Sequence, residues 1–274
     1  MAILRDPSFV EGADFLIMES TYGNRDHAPS EEARQQLRQI VNSTYRRGGK
    51  LLVPAFAVGR TQELVYALHQ LSDSRKIASL PIYVDSPLAI NVTQAYRLHP
   101  ECYDEETRRF MVSDEDHNPF GFEQLSYVRE AQASKSLNFL REPAVIIAAS
   151  GMCEGGRILH HLKNNIEDPQ TTVLFVGFQA ENTLGRRIKD GHKEVKIFGE
   201  PFRVRAQVES IEGFSAHADR TGLLEWAGRL DRDRLQHTFL VHGELEAAAA
   251  LAQYLEAAGH RQVTVPERGQ RFEL

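Results

Sequence analysis

The chain reads as an α/β protein built on a parallel sheet with helices on both faces. Short apolar runs that suit buried strands alternate with longer segments of helical period, and nearly every such run feeds a polar or glycine-rich turn. Hydrophobic residues make up 42% of 274 residues, enough to bury a sizeable core and to exclude a disordered chain.

The elements follow in order. Phe15-Leu-Ile-Met18 is a short buried strand running into Glu19-Ser-Thr-Tyr-Gly23. Ser30 suits the N-cap of a helix with apolar positions Ala33, Leu37, Ile40, Val41 and Tyr45, ended by Gly48-Gly49. Leu51-Leu-Val53 is a strand whose turn, Pro54-Ala-Phe-Ala-Val-Gly59, opens a helix carrying Leu64, Val65, Leu68 and Leu71. Pro81-Ile-Tyr-Val84, Val145-Ile-Ile-Ala-Ala149 and Thr172-Val-Leu-Phe-Val176 repeat the pattern, each followed by a polar turn and a helix. Residues 100–140 are polar and irregular. The alternation from Phe202 to Val208 suits a half-exposed strand. Next come a helix carrying Leu223, Leu224, Trp226 and Leu230, the strand Thr238-Phe-Leu-Val241, an alanine-rich helix over 244–258, and strand pieces at 263–265 and 272–274. The tail and residues 1–23 are expected to fold together, with about 25–200 inserted between them.

The formal net charge of -6 argues against a general basic coat for nucleic acid, though a local basic groove inside an acidic shell stays open. Two cysteines, Cys102 and Cys153, make no disulfide framework and no metal-binding pair, which suits the reducing cytoplasm. Asp6, Glu11 and Asp14 exclude a signal peptide over residues 1–18, and no apolar run reaches the roughly 20 residues of a membrane span.

The residues that can carry chemistry stand at strand ends. His217, in Phe214-Ser-Ala-His-Ala-Asp219, is either a general acid or a member of a helix-capping turn. His242, in Val241-His-Gly-Glu244, is either a metal ligand or a strand-end histidine bonded to a carbonyl. Glu19 ends an apolar strand, where a carboxylate needs a partner; His217 is a candidate, but 198 positions separate them. Ser150, Gly151, Gly155, Gly156 and Arg157 form a strand-to-helix turn able to cradle a phosphate, and Arg60 and Ser86 lie in similar turns. No P-loop, G-x-G-x-x-G or G-x-S-x-G run is present. His160 and His161 point about 100° apart on a helix, so a supporting or structural role suits them better than shared metal ligation. His27, His69 and His260 stand in no motif and are read as surface residues.

Six motifs occur in one order: Glu19-Ser-Thr-Tyr-Gly23, Pro54-Ala-Phe-Ala-Val-Gly-Arg-Thr-Gln-Glu63, Asp85-Ser-Pro-Leu-Ala89, Ala149-Ser-Gly-Met-Cys-Glu-Gly-Gly-Arg157, Phe214-Ser-Ala-His-Ala-Asp219 and Val241-His-Gly-Glu244. Together they resemble the β-CASP group of metallo-β-lactamase-fold ribonucleases. The resemblance implies a partial metallo-β-lactamase αββα sandwich over 1–24 and 201–274, interrupted by a parallel-sheet β-CASP domain over 25–200 that forms one wall of an RNA cleft. It implies that Glu19 and His217 assist proton donation to the leaving group, and that His242 is a ligand of one of two zinc ions. It implies hydrolysis of single-stranded RNA, with Arg60, Ser86, Ser150 and the 155–157 turn on phosphates. The sequence departs from the family in one respect: no H-x-H-x-D-H run is present, and no histidine precedes Glu19. The expectation is therefore a truncated or split chain that lacks most metal ligands, completed by a complementing N-terminal segment or working as a homodimer. The alternative is a non-catalytic RNA-binding or scaffolding subunit.

Overall fold

The structure, a computed structural model, describes residues 3–113 and 117–273. Its strands are β1 (Phe15–Glu19), β2 (Lys50–Pro54), β3 (Ile82–Val84), β4 (Leu125–Tyr127), β5 (Ala144–Ala148), β6 (Thr172–Phe175), β7 (Glu194–Ile197), β8 (Glu200–Arg203), β9 (Gln207–Ser210), β10 (His237–Val241) and β11 (Val263–Thr264). Its α-helices are α1 (Ser30–Arg46), α2 (Arg60–Asp73), α3 (Pro87–Leu98), α4 (Glu105–Ser113), α5 (Ala131–Leu137), α6 (Ile158–Asn165), α7 (Leu184–Lys189), α8 (Arg220–Ala227) and α9 (Leu245–Ala257). The chain divides into two compact units, one of Met1–Asp6 with Ala28–Ala216 and one of Pro7–His27 with His217–Leu274.

In the larger unit six parallel strands lie in the order β4-β3-β5-β2-β6-β9. Every residue of β2, β5 and β6 is buried, because helices cover both faces. The two-residue period of a strand sorts its side chains between two cores. Leu51, Val53, Val145, Ile147 and Leu174 join Leu37 and Val41 of α1 and Leu64 and Leu68 of α2. Leu52, Ile146, Val173 and Phe175 join Ile158 and Leu162 of α6 and Leu184 and Ile188 of α7. A register slip of one residue would exchange the two sets, so the pairing of Leu52 with Ile146 is fixed by volume on both sides.

A charged network is sealed inside this unit. Asp85, fully buried, accepts from Arg157 (2.6 Å), His161 (2.7 Å) and Ser134 (2.6 Å). His161, also fully buried, has Asn138 Oδ1 at 2.8 Å from its other ring nitrogen, so His161 is structural. Burial pushes the Asp85 carboxyl up, but the hydrogen bonds from His161, Ser134 and Arg157 outweigh it and hold the group below its ordinary value.

The smaller unit carries a parallel sheet ordered β1-β10-β11, with Phe15 opposite His237 and Glu19 opposite Val241. Leu16 and Met18 point one way and pack with Leu240 against Leu223 and Ala227 of α8 and Leu251 and Leu255 of α9. On the other face Ile17 is 69% exposed.

Several expectations change. Helix α1 is capped at Pro29, with Ser30 its first helical residue and no side-chain cap. The run 202–208 is not one strand. Its first part, β8, forms an antiparallel hairpin with β7 through Phe198 and Gly199, both at positive φ (52° and 82°), and its last part is β9 on the edge of the large sheet. Residues 201–216 pack with the larger compact unit. No strand forms over the described part of 272–274; Phe272 packs on Phe239 at 4.7 Å instead. His69 and His260 are buried, at 1% and 5% exposure.

Candidate functional site

Parallel pairing of β1 with β10 sets their carboxyl ends side by side, where open α/β sheets collect ligands. Glu19 is the last residue of β1, and His242 follows the last residue of β10. Two hydroxyls lace these ends together, Ser20 Oγ donating to Val241 O (2.9 Å) and Thr21 Oγ1 to His242 O (2.8 Å). The approach is close enough to require glycine. A Cβ on Gly243 would lie 2.5 Å from Ser20 Oγ and 2.6 Å from Ser20 O; one on Gly23 would lie 2.5 Å from Ala247 O. His242 itself has φ +54°, a left-handed conformation that costs roughly 1–3 kcal/mol in a non-glycine residue and that the surrounding ties sustain.

His217 arrives from the turn before α8. Asp219 caps that helix through Gly222 N–H (2.8 Å) and also accepts from His27 N–H (3.1 Å). His27 Nε2 lies 3.0 Å from the His217 carbonyl, so His27 is half-buried and holds the turn. Its only sequence signal was its place just beyond the Glu19 motif.

Glu19 and His217 meet. His217 Nδ1–H donates to Glu19 Oε2 at 2.5 Å, and Ala218 N–H lies 3.3 Å from Oε1. Burial pushes the Glu19 carboxyl up, but the hydrogen bond from His217 and the His217 charge hold it below its ordinary value. The His242 ring stands beside the pair, 5.0 Å from the His217 ring between centroids. Glu19, His217 and His242 each offer a ligand atom within 4.8 Å of the others; among the described residues no second such group of three forms.

Residues 61–188 match the Beta-Casp domain, and residues 201–266 match the zinc-dependent metallo-hydrolase RNA specificity domain. The chain belongs to the β-CASP family. It is 39% identical over 257 residues to ribonuclease TTHA0252 of Thermus thermophilus, a match covering 94% of this chain and 58% of that protein. Transcription termination factor FttA of Pyrococcus horikoshii is 36% identical over 260 residues (92% and 39% of the two chains). An RNase J-like protein of Methanocaldococcus jannaschii is 32% identical over 262 residues (95% and 59%). The chain thus spans less than two thirds of each of these relatives. The Beta-Casp match falls inside the larger unit, and the specificity-domain match contains both His217 and His242.

The donor chemistry suits zinc, the metal named in the specificity domain, but the three groups do not form a ready-made tetrahedron. Zinc with bonds of about 2.1 Å spaces its ligands about 3.4 Å apart, and Glu19 and His217 are already hydrogen-bonded to each other. His242 fits as one ligand; a catalytic zinc needs about three protein ligands.

The residues expected on phosphates all lie in the larger unit and are mostly engaged within it. Arg60 is 5% exposed and ion-paired to buried Glu63, so it is not available to RNA. Ser86, 6% exposed, accepts the Ala89 N–H (3.2 Å) as the cap of α3. The Arg157 guanidinium donates to Asp85, Val128 O and Arg129 O. Gly151 is buried, and a Cβ there would meet Phe56 at 2.7 Å. The cradle satisfies itself: the amides of Glu154 and Gly155 donate to Ser150 Oγ (3.1 and 3.2 Å). Gly156, at φ +77°, shapes the same turn. Ser150 keeps a proton to give, since a hydroxyl that accepts two amides still has its own hydrogen. Cys153 is buried, which pushes its thiol pKa up, so it is no nucleophile.

Proposed function

We propose that this chain is part of a zinc-dependent ribonuclease that hydrolyses phosphodiester bonds of single-stranded RNA. The Glu19–His217 hydrogen bond carries the reading. The names of the relatives, ribonuclease and RNase J-like protein, point the same way, as does the RNA specificity domain.

Glu19, held in its anionic form, keeps the Nδ1 hydrogen of His217 and stabilises the imidazolium. The proton on Nε2 is then the one given up. It passes to the bridging oxygen of the leaving strand as the phosphorus–oxygen bond breaks, while a water oxygen bonds to phosphorus and gives one of its protons to solvent. The imidazole left behind is neutral and recovers its proton from solvent. Bound zinc, with His242 among its ligands, supplies activation of water and neutralisation of phosphate charge. We assign two ions to the complete enzyme. The remaining ligands come from outside these 274 residues, in the same polypeptide or a complementing one. Within the larger unit Ser150 keeps a hydroxyl hydrogen for a phosphate oxygen, and a reducing cytoplasm suits the two cysteines.

In the complete enzyme, His217→Ala should lower turnover by roughly 10²–10⁴-fold while RNA affinity stays within about threefold. Equal losses in turnover and affinity would count against a proton donor. Metal-free enzyme that binds RNA and never cleaves it would favour a scaffolding subunit.

A further inference from the structure

The two imidazoles share a neighbour that no motif argument singled out. Thr21 Oγ1 lies 3.3 Å from His217 Nδ1 and 3.3 Å from His242 Nδ1. Thr21 is 4% exposed, and its own proton goes to the His242 carbonyl at 2.8 Å. A hydroxyl has one hydrogen, so this one meets the rings with lone pairs. A ring nitrogen facing a lone pair makes a hydrogen bond only if it carries the hydrogen. His217 directs that hydrogen at Glu19, at 2.5 Å. His242 has Thr21 as the acceptor for its own.

We propose that Thr21 is a positioning residue that fixes His242 as the Nδ1–H tautomer and so leaves the Nε2 lone pair as its metal-binding nitrogen. The proposal rests on reading His242 as a zinc ligand. The other ring nitrogen of a metal-binding histidine commonly has such a partner, which sets both tautomer and ring orientation. Here one hydroxyl holds His242 twice, by its ring and by its carbonyl, at a residue whose φ is already +54°. The neighbouring rings thereby differ in what faces Nδ1, a carboxylate for His217 and a hydroxyl for His242.

The test is long-range ¹H–¹⁵N NMR of the metal-free full chain at basic pH, with the His242 signal assigned by its loss in His242→Ala. Wild type and Thr21→Ser should show the Nδ1–H pattern, and Thr21→Val should lose it. Titration of the complete, metal-stripped enzyme with Zn²⁺ should give a Kd about 10–100-fold weaker for Thr21→Val and within about threefold for Thr21→Ser. An Nε2–H pattern in wild type would overturn the proposal, and needs no variant to fold. So would Thr21→Val with unchanged tautomer and unchanged Kd. Failure of the underlying reading looks different: His242→Ala would then bind zinc as tightly as wild type, whichever tautomer is seen.

Discussion

Asp85→Asn removes one charge from the sealed network of the larger unit and leaves its shape intact. In wild type the carboxylate accepts from Arg157, His161 and Ser134 at 2.6–2.7 Å with no exposure to solvent. An asparagine can accept at one oxygen only, and its amide group would point hydrogens at donors. Breaking a buried ion pair by removing one partner costs about 3–5 kcal/mol, and because the Arg157 side chain keeps 21% of its exposure the loss here sits at the low end, about 3 kcal/mol. For a protein of this size that lowers the thermal midpoint by roughly 6–12 °C. Ser134→Ala removes a single neutral donor from the same carboxylate and should cost only about 1 kcal/mol. The assay is thermal and denaturant unfolding followed by circular dichroism. The Asp85 pKa is depressed in the folded state, so its contribution is complete above the ordinary carboxylate range and is lost as pH falls through the folded value. The gap between wild type and Asp85→Asn should accordingly hold steady from neutral pH to about pH 5 and close only in stronger acid. A cost under about 1 kcal/mol, or a gap that closes near neutrality, would refute the network as a buried charge pair.

Other substitutions probe the strand ends and the expected phosphate contacts. Gly243→Ala places a Cβ 2.5 Å from Ser20 Oγ and should destabilise by about 1–3 kcal/mol, whereas Gly155→Ala, with nothing within 4 Å, should stay within about 0.5 kcal/mol in the same unfolding assay. Arg60→Met should leave RNA affinity and its salt dependence unchanged, because the guanidinium is buried against Glu63; a shallower salt slope in filter binding would show that Arg60 does reach phosphate. Leu52→Ala should cost about 2–5 kcal/mol by opening a cavity under a fully buried strand.

Local signals were readable wherever neighbours in sequence are also neighbours in space. The run Leu51 to Val53 announces a strand buried on both faces, and the helical period of Ala33, Leu37 and Val41 announces α1; both are observed. The hairpin of β7 and β8 was missed because its turn is Phe198-Gly199, and phenylalanine is a poor signal for positive φ. The pairing of β9 with β6 was not legible because it is non-local, which composition does not record. Glu19, His217 and His242 were legible as strand-end and corner residues, but their meeting depends on the register of β1 against β10 across more than 200 positions. Arg60 misled for a physical reason. A cation just after a glycine turn resembles an anion site, and only the fold reveals that Glu63, one turn along α2, already neutralises it.

The claim that matters most is that His217 delivers a proton to the leaving oxygen. It is tested by comparing wild type and His217→Ala on ordinary RNA and on RNA whose scissile bridging oxygen is replaced by sulfur, since a thiolate leaves without protonation. The account predicts a loss of roughly 10²–10⁴-fold on the oxygen substrate that shrinks to within a few-fold on the sulfur substrate. An equal loss on both substrates would contradict it.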